Sequence, residues 1–372
     1  MILHFLTDDF FADYAITQFR DTNSQFVCID TAGKMDMVKL REDIHVIHRK
    51  SPELIQLIEN IEKYDAIILH GMHWGEWQSE ILRKVPEKVK VAWVLWGGDI
   101  YGRHDVKDNF LAPITHLINQ IRNQYRETIL HKSMKGSIAW EIPLALYQRV
   151  DYCLTSQQEQ FDYVKKFTGA KFQHLWYTYF SLDEMLGEVK NKKCYGNGVW
   201  LGHCAIISNN YFDTMLKLRF SKNKLQKNQT VIIPLSYGEP WLQIRLTRVA
   251  RFLYGKRATI LSKMLPRNEY NELMLQCSTM IMPSYMSQGM GNIITGLWLG
   301  MRVYMSKKNI SFAFLRRIGI FVFSLEEDFS QYGYTPLEDE VVNKNRQILQ
   351  DFYGSKHIAD AVNAIVNTLE KK

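Results

Sequence analysis

Short, unbroken apolar runs punctuate the first half of the chain, at residues 2–6, 26–29, 44–47, 66–69, 91–95 and 152–155. Strands buried on both faces of a parallel sheet read this way, whereas half-exposed strands alternate. Between two of the runs, Leu54, Ile55, Leu57, Ile58 and Ile61 recur at helical spacing. Strand–helix alternation of this kind predicts an α/β layer sheet. Around residues 187–198 the pattern breaks into a polar, glycine-bearing stretch with Lys190, Asn191, Lys192, Lys193 and Asn197, the signature of a linker. A second series follows, with strands predicted at 199–201, 230–235, 258–261, 279–282, 303–305 and 320–323. A final helix places Ile358, Val362, Ile365, Val366 and Leu369 on one face. The pattern predicts two Rossmann-like domains, at 1–190 and 191–350, and a closing helix at 351–372. Open parallel sheets bind ligands beyond the carboxyl ends of their strands. Two of them facing across a cleft would carry one substrate on each wall.

Bulk composition adds constraints rather than a function. At 372 residues the chain exceeds what one core usually spans. The net charge of +7 is mild, does not point to a dedicated nucleic-acid binder, and fits an anionic ligand or an anionic membrane surface. The five cysteines are scattered and lack metal-ligand spacing, which predicts reduced thiols. The first residues meet Asp8 and Asp9 at once, unlike a signal peptide, and no apolar run reaches the roughly 18 residues of a membrane span. The segment 111–147 combines an apolar helical stripe (Leu111, Ile114, Leu117, Ile118, Ile121, Tyr125, Ile129) with Arg122, Arg126, Lys132 and Lys135. It predicts either a peripheral contact with anionic lipid or a helix packed on its own sheet.

Candidate chemistry gathers just after predicted strands. Following the 279–282 strand, Gln288, Gly289, Gly291 and Asn292 form a glycine loop that opens a helix. Backbone amides there can approach a diphosphate, and the helix start favours negative charge. A tight turn that needs glycine for geometry alone is the alternative. Gly202, Ser208 and Asn209 follow the 199–201 strand and suit a phosphate or a sugar hydroxyl; helix capping explains Ser208 and Asn209 as well. Ser236 and Tyr237 follow the 230–235 strand, and Tyr237 could stack on a nucleobase. In the first half, Asp99 follows the 91–95 strand, where a carboxylate serves as a general base or as a helix cap. Trp96 and Tyr101 flank it. His70 and His73 follow the 66–69 strand and are candidates for acceptor contact or plain packing; spacing supplies no third ligand, so no metal site is predicted. GxSxG, GxxxxGK[ST], HExxH, an early GxGxxG and a DxD loop are all missing from the sequence. Sugar transfer without a metal or other cofactor fits this inventory, the leaving diphosphate being held by amides and helix dipoles.

In order and spacing, His70-Gly71, Trp96 through Tyr101, Gly202 with Ser208-Asn209, Pro234 through Gly238 and Gln288 through Gly291 with Leu299-Gly300 make the chain resemble a known family. That family is the bacterial TDP-N-acetylfucosamine transferases (4-alpha-L-fucosyltransferases) of enterobacterial common antigen assembly. The resemblance spans nearly the whole chain and is that of a distant member. It implies a GT-B glycosyltransferase fold, with an N-terminal acceptor domain, a C-terminal donor domain and a closing helix that crosses back to the first. It further implies a TDP-sugar donor carrying a deoxyamino sugar, an undecaprenyl-diphosphate-linked glycan acceptor, and a peripheral place on the cytoplasmic face of the bacterial inner membrane. On that resemblance Asp99 and His70 are the catalytic candidates. Gly202, Ser208, Asn209, Ser236, Tyr237, Gln288, Gly289, Gly291 and Asn292 would bind donor, and His73, Trp96 and Tyr101 acceptor. Two departures stand out. His203-Cys204 replace the family's Asn-Ser after Gly202, and Ser287 and Thr295 stand where many retaining GT-B enzymes carry glutamates. Alternatives are a GT-B transferase using a UDP- or GDP-sugar in capsule or O-antigen synthesis, and a non-catalytic nucleotide-sugar or carbohydrate sensor.

Overall fold

The computed structural model describes residues 1–7, 11–30, 38–40, 42, 44–73, 75–128 and 141–370. The chain divides into two compact units. The N-terminal unit comprises Met1–Arg103, Met134–Ser181 and Ser355–Lys372, and the C-terminal unit comprises His104–Ser133 and Leu182–Gly354.

The N-terminal unit is built on seven parallel strands: β1 (Ile2–Leu6), β2 (Ser24–Asp30), β3 (His45–His48), β4 (Ala66–His70), β5 (Lys90–Val94), β6 (Tyr152–Leu154) and β7 (Gln173–Leu175). Their order is β3-β2-β1-β4-β5-β6-β7. The unbroken apolar runs behave as their pattern requires, since every residue of β1 and β4 is buried. Strand β7 is short, polar and partly exposed, so periodicity gives it no signal. The helix Pro52–Glu59 starts where Ser51 Oγ accepts from Leu54 N and proline occupies the first turn. It buries Leu54 and Ile58 and leaves Ile55 exposed. The helix Ser355–Leu369 lays Ile358, Val362, Ile365 and Leu369 into the same core as Ile2, Ile16 and Phe19. Lys90 Nζ donates to the Thr368 carbonyl near its end, at 2.6 Å.

The C-terminal unit repeats the plan with six parallel strands: β8 (Gly198–Leu201), β9 (Val231–Pro234), β10 (Ala258–Leu261), β11 (Cys277–Met282), β12 (Arg302–Met305) and β13 (Phe323–Ser324). The order is β10-β9-β8-β11-β12-β13. The run at 320–323 becomes a strand only from Phe323, because Ile320 and Val322 are buried in turns before it. One helix of this unit, Pro113–Thr128, comes from far upstream in the chain. Its first-turn amides, which no helix can satisfy internally, are met by Asp213: the carboxylate accepts from Ile114 N, Thr115 N and Thr115 Oγ1 at 2.9, 2.8 and 2.7 Å. Asn210 holds the preceding turn, accepting from Ala112 N and donating to the Phe110 carbonyl. Among the described residues Asn210 is the one non-glycine with positive φ, at 51°. Thr115 and Asn119 face inward, whereas Ile114, Leu117, Ile121 and Tyr125 are exposed. Residues 129–140, the basic remainder of the predicted amphipathic segment up to Trp140, lie outside the described residues.

Candidate functional site

Both sheets reverse direction after their third strand. That reversal opens a crevice at the carboxyl ends of β1 and β4 in one unit, and of β8 and β11 in the other. The sequence candidates fall at these two places and at the neighbouring strands β5 and β9.

In the N-terminal unit the centre is an aspartate–histidine pair. Asp99 sits in the short helix Gly98–Tyr101 after β5. Its Oδ1 accepts from His73 Nδ1 at 2.8 Å, and its Oδ2 accepts from Trp93 Nε1 and Trp96 N at 2.8 and 3.0 Å. The Asp99 side chain is 0% exposed and that of His73 is 28% exposed. Asp99 therefore meets the outside only through the imidazole. This differs from the expectation that Asp99 itself touches an acceptor, and the physical reason is its three donors and full burial. Gly71, at φ +82°, lets His73 and Trp96 close over the backbone: a Cβ there would lie 2.9 Å from His73 Cε1 and 3.1 Å from Trp96. The Trp96 ring packs on His73 with centroids 5.2 Å apart. Tyr101 is fully buried and packs on Tyr163, so it contributes to the wall rather than to an exposed surface.

His70 is also a wall residue, contrary to the catalytic role expected of it. It is 1% exposed, and both ring nitrogens are engaged, Nε2 with His4 Nδ1 at 3.1 Å and Nδ1 with Tyr179 Oη at 2.8 Å. Burial holds its pKa down to about 3. The Trp96 indole, which can only donate, donates to Tyr179 Oη at 2.8 Å. One proton assignment then satisfies every link: Tyr179 donates to His70, His70 to His4, and His4 to Ser24 Oγ at 3.2 Å. Two neutral histidines thus form a buried strut behind the site.

In the C-terminal unit the loops after β8 and β11 are stitched together. Gln288 Nε2 donates to Ser284 Oγ at 2.7 Å, to Asn209 Oδ1 at 3.3 Å and to Ser208 Oγ at 3.4 Å. Asn209 in turn donates to the Cys204 carbonyl and Sγ. Ser208 and Asn209 are buried and cap no helix; Asn210 occupies the N-cap position of the helix Tyr211–Phe220. Gly202 admits Tyr211, whose Oη would lie 2.1 Å from a Cβ. Gly289, at φ +70°, heads the helix Met290–Leu299 and packs against the His203 ring and Met282, where a Cβ would meet Met282 Cε at 2.7 Å. That helix makes its first internal bond from Ile293 N to Gly289 O, leaving the amides of Met290, Gly291 and Asn292 ahead of the ladder. A Cβ on Gly291 would meet nothing within 4 Å, so internal packing does not require glycine there. Tyr237 is 49% exposed, with its ring edge-on to His203. Ser236 points instead to Met264 Sδ, and Asn292 donates to Tyr270 Oη, so these two stand apart from the Ser208–Gln288 cluster.

Two site residues escape motif reasoning. Ser284 Oγ accepts from both Gln288 and Met286 N, and Asn309 Nδ2 fixes the same loop through the carbonyls of Ser284 and Met286. A serine two residues beyond a buried strand is the only sequence signal for them. His203 is buried, burial lowers its pKa to about 4, and among the described residues its Nδ1 has no hydrogen-bond partner.

Two doubly wound parallel sheets, each with polar residues at its point of reversal, define the GT-B class of fold. The solved structures similar to this chain have that fold. Sucrose-phosphate synthase from Thermosynechococcus elongatus is 8% identical with a TM-score of 0.61, covering 99% of this chain and 98% of its own. HepE from Anabaena, solved with UDP and glucose, is 12% identical with a TM-score of 0.60 over 99% of both chains. WaaG, a glycosyltransferase involved in lipopolysaccharide biosynthesis, is 10% identical with a TM-score of 0.58 over 100% of both. No protein-family model matches the chain, and no curated protein matches it by sequence.

Proposed function

We propose that the chain is a metal-independent glycosyltransferase. A nucleotide-diphosphate sugar binds the C-terminal unit, an acceptor hydroxyl binds the N-terminal unit, and His73 is the general base. The observation that carries this is the His73–Asp99 pair beyond β4 and β5. With Asp99 accepting from Nδ1–H, the neutral imidazole keeps its lone pair on Nε2, and the imidazolium formed on proton uptake is stabilised by the buried carboxylate. The acceptor oxygen, as it loses its proton to His73, bonds to the anomeric carbon while the bond to the diphosphate breaks. The leaving charge goes to the amides at the start of the Met290–Leu299 helix, which Gly291 leaves open to approach. A single displacement by this route inverts the anomeric carbon. His73→Ala should lower turnover by about 10²–10⁴ while nucleotide binding persists; unchanged turnover in that variant removes the assignment.

For the donor we propose a TDP-linked deoxyamino sugar, on the resemblance given above. A UDP-sugar is the second reading, favoured by the structural neighbours solved with UDP, HepE and an alpha-glucosyltransferase. A thermal-shift panel of TDP-, UDP- and GDP-sugars separates them. The acceptor we propose is an undecaprenyl-diphosphate-linked glycan at the cytoplasmic face of the bacterial inner membrane. Peripheral contact through the 111–147 segment is supported by the outward stripe Ile114, Leu117, Ile121 and Tyr125. Among the described residues no helix is long and apolar enough to cross a membrane.

A further inference from the structure

The mild net charge conceals a strong asymmetry. Residues 214–268 hold twelve Lys and Arg against one acid, Glu239, while the rest of the chain holds 34 Lys and Arg against 38 Asp and Glu. Glu239 is itself taken up by Arg122 and the Trp241 indole. This basic stretch takes in the helix Tyr211–Phe220 from Thr214 onward and the whole helix Pro240–Tyr254, which follow β8 and β9 and pack side by side. Strands β8, β9 and β10 are parallel neighbours stepping in one direction. Right-handed crossovers therefore put both helices on one face, with their carboxyl ends at the amino-terminal edge of the sheet. That edge is the end of the unit opposite the β8–β11 loops.

Two aromatic side chains stand at this end with almost no cover: Phe220 is 77% exposed and Phe252 is 88% exposed. Around them Lys222, Lys224, Lys227, Arg251 and Lys256 are exposed, and among the described residues none of the five forms an ion pair. Arg257 ties the two helix ends into one surface, donating to the carbonyls of Leu225 and Gln226 at 3.4 and 3.3 Å. Two apolar prongs inside an uncompensated basic field match a surface that is anionic outside and apolar just beneath, which is an anionic phospholipid bilayer. A nucleic-acid backbone would match the charge but offers the two protruding rings of Phe220 and Phe252 no apolar layer to enter.

We infer that this end of the C-terminal unit is a docking face for anionic membrane lipid. It is distinct from the sugar-transfer site and from the Pro113–Thr128 helix, and does not depend on the transferase assignment.

The test is co-sedimentation of the full chain with phosphatidylcholine vesicles prepared with and without phosphatidylglycerol, at low and high salt. Binding only to the phosphatidylglycerol vesicles, weakened by salt, is expected. Phe220→Ser with Phe252→Ser, and separately Lys222→Glu with Lys224→Glu, should each weaken binding about tenfold or more, while Ile55→Ser, at an exposed position on the N-terminal unit, should leave it unchanged. All the side chains substituted are exposed, and urea unfolding checks that the variants fold. The inference is overturned if the wild-type chain ignores phosphatidylglycerol vesicles, or if the Phe220/Phe252 and Lys222/Lys224 variants keep full binding while Leu117→Ser with Ile121→Ser removes it. Salt-sensitive capture of duplex RNA without vesicle binding also overturns it.

Discussion

At the scale of single residues, the pH response of the N-terminal unit belongs to His70 and His4. Burial lowers both pKa values in the folded state, so the unfolded chain binds more protons below the ordinary histidine pKa of 6.5. Their contribution is fully present above pH 6.5 and is lost as pH falls toward the folded value of about 3 for His70. At pH 5, His70 alone should remove about 2 kcal/mol of stability relative to pH 8. Urea unfolding at pH 8, 6 and 5 checks the sign, and a unit more stable at pH 5 would contradict it. Asp99→Asn tests the neighbouring pair differently: it keeps the size but removes the carboxylate that accepts from His73, so turnover should drop while nucleotide binding persists, whereas a purely structural Asp99 would change stability and leave turnover of the folded protein in place. The sequence displays His73 and Asp99 as end-of-strand residues but cannot display them as partners. They are 26 positions apart, and only the adjacency of β4 and β5 brings them to 2.8 Å. His70 misleads for a related reason, since the residue that closes an apolar run is equally placed to face a ligand or to finish the core.

At the scale of elements, the helix Pro113–Thr128 depends on caps supplied from the helix Tyr211–Phe220. Replacing Asp213 by Ala removes acceptors from two amides and a buried threonine hydroxyl, and should cost about 1–2 kcal/mol. Faster proteolytic cleavage within 104–133, ahead of global unfolding, is the expected readout. The donor loop should fail in a more local way. Gly289→Ala forces a Cβ onto Met282 and the His203 ring at a positive φ, so nucleotide binding should weaken with little change in overall melting. Periodicity located the strands because buried parallel strands are apolar throughout. It also found the Pro113–Thr128 helix but left open whether its apolar stripe faces outward or packs on the sheet. The apolar stripe Ile114, Leu117, Ile121 and Tyr125 points outward, and Thr115 and Asn119 point inward because Asp213 and the core of the C-terminal unit meet them there. Nothing in the local pattern announces a polar buried face whose partners lie 98 residues downstream.

At the scale of the whole molecule, the last helix is part of the first core. Leu369 is fully buried with Ile365 and Val362, so Leu369→Ala should destabilise the N-terminal unit by about 2–4 kcal/mol, seen as a lower urea midpoint. The two-sheet plan was legible because each half repeats the same strand–helix alternation. The interleaving of the units was legible only in part: the return of the last helix was expected from the family resemblance, whereas the place of the Pro113–Thr128 helix in the second unit was not, because contacts distant in sequence leave no periodic trace.

That interleaving governs how the chain can be made. The ribosome delivers Ala112, Ile114 and Thr115, at the start of the Pro113–Thr128 helix, 98–99 residues before the asparagine and aspartate that cap them, and delivers the helix Ser355–Leu369 only after the whole second sheet. The first sheet therefore emerges early yet stays uncovered along one side until the second sheet has been made, while the upstream helix waits without its platform. A fragment covering residues 1–190 would suffer both defects at once, and a stop just before Ser355 would leave both sheets made and the first core open.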